Sequence, residues 1–198
     1  MRSIVAVPFL AVISFAGSHM THAENIQPDR AKLGQLHAGT AMSLHFSYAE
    51  TFPTWGELKK AATLIVIGTA GAQLTTMGQQ DSVPWTSTTI NIESVVAGSA
   101  RPGESVRVRQ AGGVRPDGIR AVSEQEPLLT GGTRYVLFLR PAPEMPGEFY
   151  PLGPMGIFTV DATSRVHSFS ATGAALGIDV QGIELQGLIA AVQSADTT

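Results

Sequence analysis

The sequence predicts a mainly β fold, a small antiparallel barrel of five to six strands with a short N-terminal helix and an amphipathic C-terminal helix. Three observations predict it. An apolar, β-branched run occurs at Thr63–Ala70 and a strongly apolar one at Tyr135–Arg140. Between and around them lie alternating segments separated by Gly- and Pro-bearing turns, the pattern of consecutive antiparallel strands. Helical signals are confined to the two ends.

The elements follow in order. Thr54 and Glu57 have capping-box spacing, in which each side chain satisfies a free backbone donor of the first turn. Trp55, Leu58, Ala61 and Ala62 then share one face of a short helix ending near Ala62. Thr63–Ala70 is apolar without interruption, which predicts a strand buried on both faces. Residues 75–84 read as a polar turn. Trp85–Val96 is a strand in which Ile90 and Ile92 alternate with Thr89, Asn91 and Glu93, one face dry and one wet. Gly98–Gly103 is a turn. Ser105–Arg109 is a strand with its valines inward and its arginines outward. Residues 111–133 form a long connection punctuated by Gly and Pro, of a length that is uncommon inside a domain and often functional. Tyr135–Arg140 is the next strand. Phe149–Asp161 holds one or two strands, bent near Gly153, Pro154 and Gly156. Arg165–Ser170 is a last short strand. Leu185, Leu188, Ile189 and Val192 give the final helix its apolar stripe. Five strands of this length can close into an OB-like barrel, with a two-layer sandwich as the alternative.

The chain begins Met1-Arg2, followed by the 13-residue apolar run Ile4–Ala16 and then small residues at Thr21 and Ala23. This is the pattern of a secretory signal peptide cut after Ala23. The run is shorter than the roughly 20 residues that span a bilayer. The expected organisation is a signal peptide over 1–23, a loosely ordered lead-in over 24–52, one β-barrel domain over 53–194 and a frayed tail over 195–198. The protein is expected to be exported, periplasmic or secreted. Its mature part carries 12 Lys and Arg against 16 Asp and Glu, a net charge of −4. That balance argues against nucleic acid, whose phosphates call for a basic surface. Cysteine is absent, which excludes disulfides, thiol catalysis, cysteine metal sites and a lipid-anchoring cysteine.

Motifs that carry chemistry are sparse, and no cofactor or metal is expected. His37, His45 and His167 are the histidines beyond the signal, and none has metal-ligand spacing. The Gly-Gly pairs at 112–113 and 131–132 are not followed by the Lys-Ser/Thr of a phosphate loop, and read as turns. Trp55, Trp85, Tyr135, Phe138, Phe149, Tyr150 and Phe158 read as core. The compositional bias is arginine. Arg101, Arg107, Arg109, Arg115, Arg120, Arg134 and Arg140 crowd residues 101–140, whose local net charge is +3. A planar guanidinium suits a carboxylate or phosphate. Arg107, Arg109, Arg115 and Arg120 are therefore the candidate binding residues, for an anionic ligand or a protein partner. A solvated sheet face is the competing reading. If Arg107 and Arg109 both face water, reversing the charge of both leaves folding intact.

The run Phe52-Pro53-Thr54-Trp55-Gly56-Glu57-Leu58 through Thr69, then Pro127-Leu128-Leu129, Gly131-Gly132, Tyr135–Leu139, Tyr150-Pro151-Leu152-Gly153 and Gly156-Ile157-Phe158 resembles a group of small exported bacterial proteins of unassigned function. More remotely, the pattern over 52–160 is similar to the OB-like barrel of tissue inhibitors of metalloproteinases and netrin-type domains. Those inhibitors reach their target's zinc through a disulfide-tethered N-terminal cysteine. This chain lacks cysteine, so the resemblance implies a fold and not that mechanism. The expected function is a non-enzymatic binding or accessory domain of the cell envelope or extracellular space. The alternative is a small exported hydrolase using a serine, His167 and an acid such as Asp161.

Overall fold

The computed structural model describes residues 11–14, 41–78 and 82–195. The expected cleavage point at Ala23, His37, the lead-in before Ala41 and the last three residues lie outside the described residues. The mainly β class is borne out. The elements are β1 (Ala11–Ser14), β2 (Ala41–Phe46), α1 (Trp55–Ala61), β3 (Leu64–Met77), β4 (Pro84–Ala97), β5 (Ser105–Ala111), β6 (Gly113–Val114), β7 (Arg120–Val122), β8 (Arg134–Pro141) and β9 (Glu148–Pro151). A 3-10 turn at Gly153–Gly156 follows, then β10 (Ile157–Val160), β11 (Arg165–Ser168), α2 (Ala171–Leu176), β12 (Gln181–Glu184) and α3 (Leu185–Ser194).

The strands form two sheets. The larger has eight strands in the order β12-β11-β10-β8-β3-β4-β5-β9, and β9 also pairs with β8. The smaller has the order β1-β2-β7-β6. Pairing is antiparallel except between β5 and β9 and between β2 and β7.

The first half of β3, Leu64–Ala70, is buried on both faces, as its uninterrupted apolar run predicts, while residues 71–77 are largely exposed. Leu64 and Val66 pack with Ile90, Val108, Leu137 and Leu139. Ile65 and Ile67 turn the other way, toward Phe138, Phe158, Leu188 and Val192. The second group is roofed by α1 and α3. The helix α1 starts on the expected capping box, with the Glu57 N–H donating to Thr54 Oγ1 at 3.2 Å and the Thr54 N–H to Glu57 Oε2 at 3.1 Å. Lys59 Nζ donates to the carbonyls of Gln193 and Ala195 at 3.1 and 3.2 Å, neutralising the negative end of α3. Removing the cap by Thr54→Ala is expected to cost about 1 kcal/mol. A thermal melt should register it as a fall in Tm of about 2–4 °C. An unchanged Tm would mean that packing alone holds α1.

Three expectations are revised. Residues 75–84 are not wholly a turn, because β3 runs on to Met77 and β4 begins at Pro84. Their polar side chains pair across the strands, as the Thr75 and Thr86 hydroxyls do at 2.9 Å. Residues 41–46 are a strand and not a loose lead-in, since Met42 and Leu44 are buried against Ile119 and Ala121. The 111–133 connection is built rather than meandering, with β6 and β7 forming a hairpin that joins β2. Gly113 lets this hairpin lie on β3 and β4. Its φ is +130°, and an added Cβ would stand 2.5 Å from Thr86 Oγ1.

The strand β1 falls inside the apolar run Ile4–Ala16 and pairs with β2 from Ala11↔Phe46 to Ser14↔Ser43. Cleavage after Ala23 would remove it and leave β2 at the sheet edge.

Candidate functional site

The arginines of β5 are set by its register. Arg107 lies opposite Thr89 and Arg109 opposite Ser87 on β4, so both project from one face. On the other side of β5, the parallel strand β9 places Glu148 beside Arg107. Glu148 is the hub of the site. Its Oε1 lies 3.4 Å from Arg107 Nε and its Oε2 3.6 Å from Arg109 Nη1. The Ser87 hydroxyl donates to Oε2 at 2.8 Å. The Arg109 guanidinium lies 4.8 Å above the Trp85 ring, and Trp85 packs on Tyr150 of β9.

The expectation that both arginines point to water is corrected here. Arg107 does, with 58% of its side chain exposed. Arg109 is 7% exposed and Glu148 is 6% exposed. The physical reason is the cover from neighbouring strands. Trp85, Tyr150 and the added strand β9 turn what β5 alone presents as a polar face into a covered one. Arg109 Nε is buried and makes no hydrogen bond among the described residues. Charge pairing with Glu148 and the Trp85 ring compensate the rest of the guanidinium.

The other two candidates sit on the β6–β7 hairpin. Arg115 grips Asp117 through two hydrogen bonds of 3.2 and 2.9 Å and donates to the Ser82 carbonyl at 2.9 Å. Its role is to fix the turn. Arg120 is exposed on β7 and makes no ion pair among the described residues. No hydrogen bond or ion pair joins the hairpin arginines to those of β5. The four candidates therefore form two places on the molecule. Sequence reasoning missed Glu148, whose one signal was being an acid beside a turn, 39 residues beyond Arg109.

The residues of the hydrolase alternative are partly brought together. His167 Nε2 lies 3.1 Å from Asp161 Oδ2. Asp161 Oδ1 accepts from the Arg165 N–H and from the Thr163 hydroxyl and N–H. These bonds, with His167, hold its carboxyl well below the usual carboxylate range. They also close the turn between β10 and β11. No serine hydroxyl bonds to His167 among the described residues. Ser168 is engaged elsewhere, donating to the Ile178 carbonyl and accepting from the Val180 N–H.

Two open depressions mark the surface. One of about 460 Å³ is lined by Glu50, Phe52, Glu57 and Lys60, and one of about 430 Å³ by Leu64, Glu104, Val106, Pro141 and Phe149. Neither contains a candidate arginine or His167. Among the described residues no helix is long and apolar enough to cross a membrane. No protein-family model matches this chain, and no curated protein matches it significantly.

Proposed function

We propose that this chain is an exported, non-enzymatic binding or accessory domain carried on an OB-like barrel. The observation that carries the fold reading is the double pairing of β9. It bonds in parallel to β5 and antiparallel to β8, so β3, β4, β5, β9 and β8 follow one another around a closed circuit. Numbered along the chain, that circuit is first, second, third, fifth, fourth. Side chains from all five strands meet in one apolar cluster, including Val66, Ile90, Val108, Leu137 and Phe149. A five-stranded barrel of this type binds ligands on its second and third strands and on the loop before its fifth. Here these are β4, β5 and the 142–147 turn. Arg107 is the exposed cation of that region, and its ligand is anionic. Export rests on the leader pattern, not on the fold.

Two experiments test the reading. Expression of the full-length chain in a bacterial host, followed by fractionation and N-terminal sequencing, should give an exported protein beginning at Glu24. An intact chain retained in the cytoplasm contradicts export. Titration with an acidic oligosaccharide such as a heparin fragment should show binding that Arg107→Gln weakens at least tenfold without lowering Tm. Equal binding by both proteins removes Arg107 from the site, and no binding by either removes the anionic ligand.

A further inference from the structure

We propose that Glu126 is a pH-operated latch fastening the β2 arm and the 123–129 segment to the larger sheet, closed while its carboxyl is protonated and released when it ionises. The geometry is a junction pinned at several points. Tyr48, two residues beyond β2, donates its hydroxyl to Glu126 Oε2 at 3.3 Å. The Phe46 N–H donates to Gln125 Oε1 at 2.6 Å. The Ser170 hydroxyl, at the start of α2, donates to the Gln125 carbonyl at 2.9 Å. From β5, Gln110 donates to the Pro127 carbonyl at 3.0 Å and accepts from the Leu129 N–H at 2.9 Å. The Tyr48 ring lies against Gly153, where an added Cβ would come within 3.1 Å of it.

Among the described residues no cation faces Glu126 in this junction. The β2 arm offers Tyr48, while Glu50 further along it is paired with Arg140 and His45 is exposed. On β5 the facing side chain is Gln110, since Arg107 and Arg109 leave from the opposite face to meet Glu148. The Gly153–Gly156 turn and α2 carry no titratable side chain. Glu124, the remaining acid of the segment, is exposed. Glu126 is half-buried, and a carboxylate that loses part of its water without gaining a cation is disfavoured against its neutral acid. Burial accordingly pushes the Glu126 carboxyl up to about 7, against a lowering by its hydrogen bonds with Gln110 and Tyr48. Burial and the adjacent Glu126 also push the Tyr48 hydroxyl well above its usual range.

The sign follows from linkage. The folded state holds the Glu126 proton more tightly than the unfolded chain does. Its contribution to stability is complete below the ordinary glutamate range and is lost as pH rises through about 7. Above that the carboxylate seeks water, the segment lifts and the Phe46 amide loses its acceptor. The latch stands on this junction alone and holds whether or not the chain is exported.

The test follows the carboxyl and the junction in the full-length chain. The Glu126 side-chain carbon, read by NMR between pH 4 and 9, should titrate with a midpoint near 7. Hydrogen-exchange protection of the Phe46 amide, corrected for the intrinsic rate, should fall at least tenfold between pH 5.5 and 8.5. Glu126→Gln should keep the fold and flatten that profile. A Glu126 midpoint in the ordinary glutamate range overturns the proposal even if the variant does not fold. So does a Phe46 profile in Glu126→Gln that tracks the native one.

Discussion

Reversing the charge of both β5 arginines, Arg107→Glu with Arg109→Glu, is expected to abolish folding. The change would gather three carboxylates where Glu148 now sits between two guanidinium groups, at 3.4 and 3.6 Å. Glu148 and Arg109 are both buried, so water cannot screen the repulsion. Breaking a buried pair by removing one partner costs about 3–5 kcal/mol, and a domain's whole stability is about 5–15 kcal/mol. Single variants divide the effect. Arg107→Gln, at the exposed position, should alter Tm little. Arg109→Met keeps the packing over Trp85 but strands Glu148, and should fall toward the lower end of that buried-pair range. Adding Glu148→Gln to Arg109→Met should recover much of the loss, because the stranded charge is then gone. Circular dichroism and thermal melts read all four variants. A folded double reversal with native Tm would mean that Arg109 faces water after all.

Phe138→Ala should produce the second large loss. Phe138 is fully buried on β8, stacked on Trp55 of α1 at 6.1 Å between ring centres and edge-on to Phe158 of β10 at 5.9 Å. It lies where the larger sheet meets its helical cover. Truncating such a ring costs about 3–5 kcal/mol, part of it for the cavity left behind. In a domain of this size that is a fall in Tm of about 6–20 °C. Trp55 fluorescence should shift to the red as its cover is lost. A fall of less than about 3 °C with unshifted emission would show that α1 packs elsewhere.

Much of the fold was legible because the signals were local. Thr54 and Glu57 announced α1 with three-residue spacing, and the Leu185, Leu188 and Val192 stripe announced α3. The β3 run could be read as doubly buried because nothing polar interrupts it. The strand β2 was legible in principle, since Met42 and Leu44 alternate with Ser43 and His45, but six residues make a weak period. The strands β6 and β7 are two and three residues long, too short for any period to be seen. The site was obscured by distance. In its own strand Arg109 alternates with valines and looks solvated. Its burial depends on Trp85 and on β9, and β9 is four residues whose two partners no local pattern specifies. Glu126 escaped notice for the same reason, because its enclosure comes from Tyr48 and Gln110.

The double pairing of β9 underlies both the proposed barrel and the arginine site, and cross-strand NOEs from the full-length chain test it most directly. One folded state should show Val108 of β5 against Phe149 and Arg140 of β8 against Tyr150. Both sets together are the result this account predicts. Either set without the other would leave an open sheet and contradict it, and loss of the Val108 set would also leave Glu148 not held against Arg109.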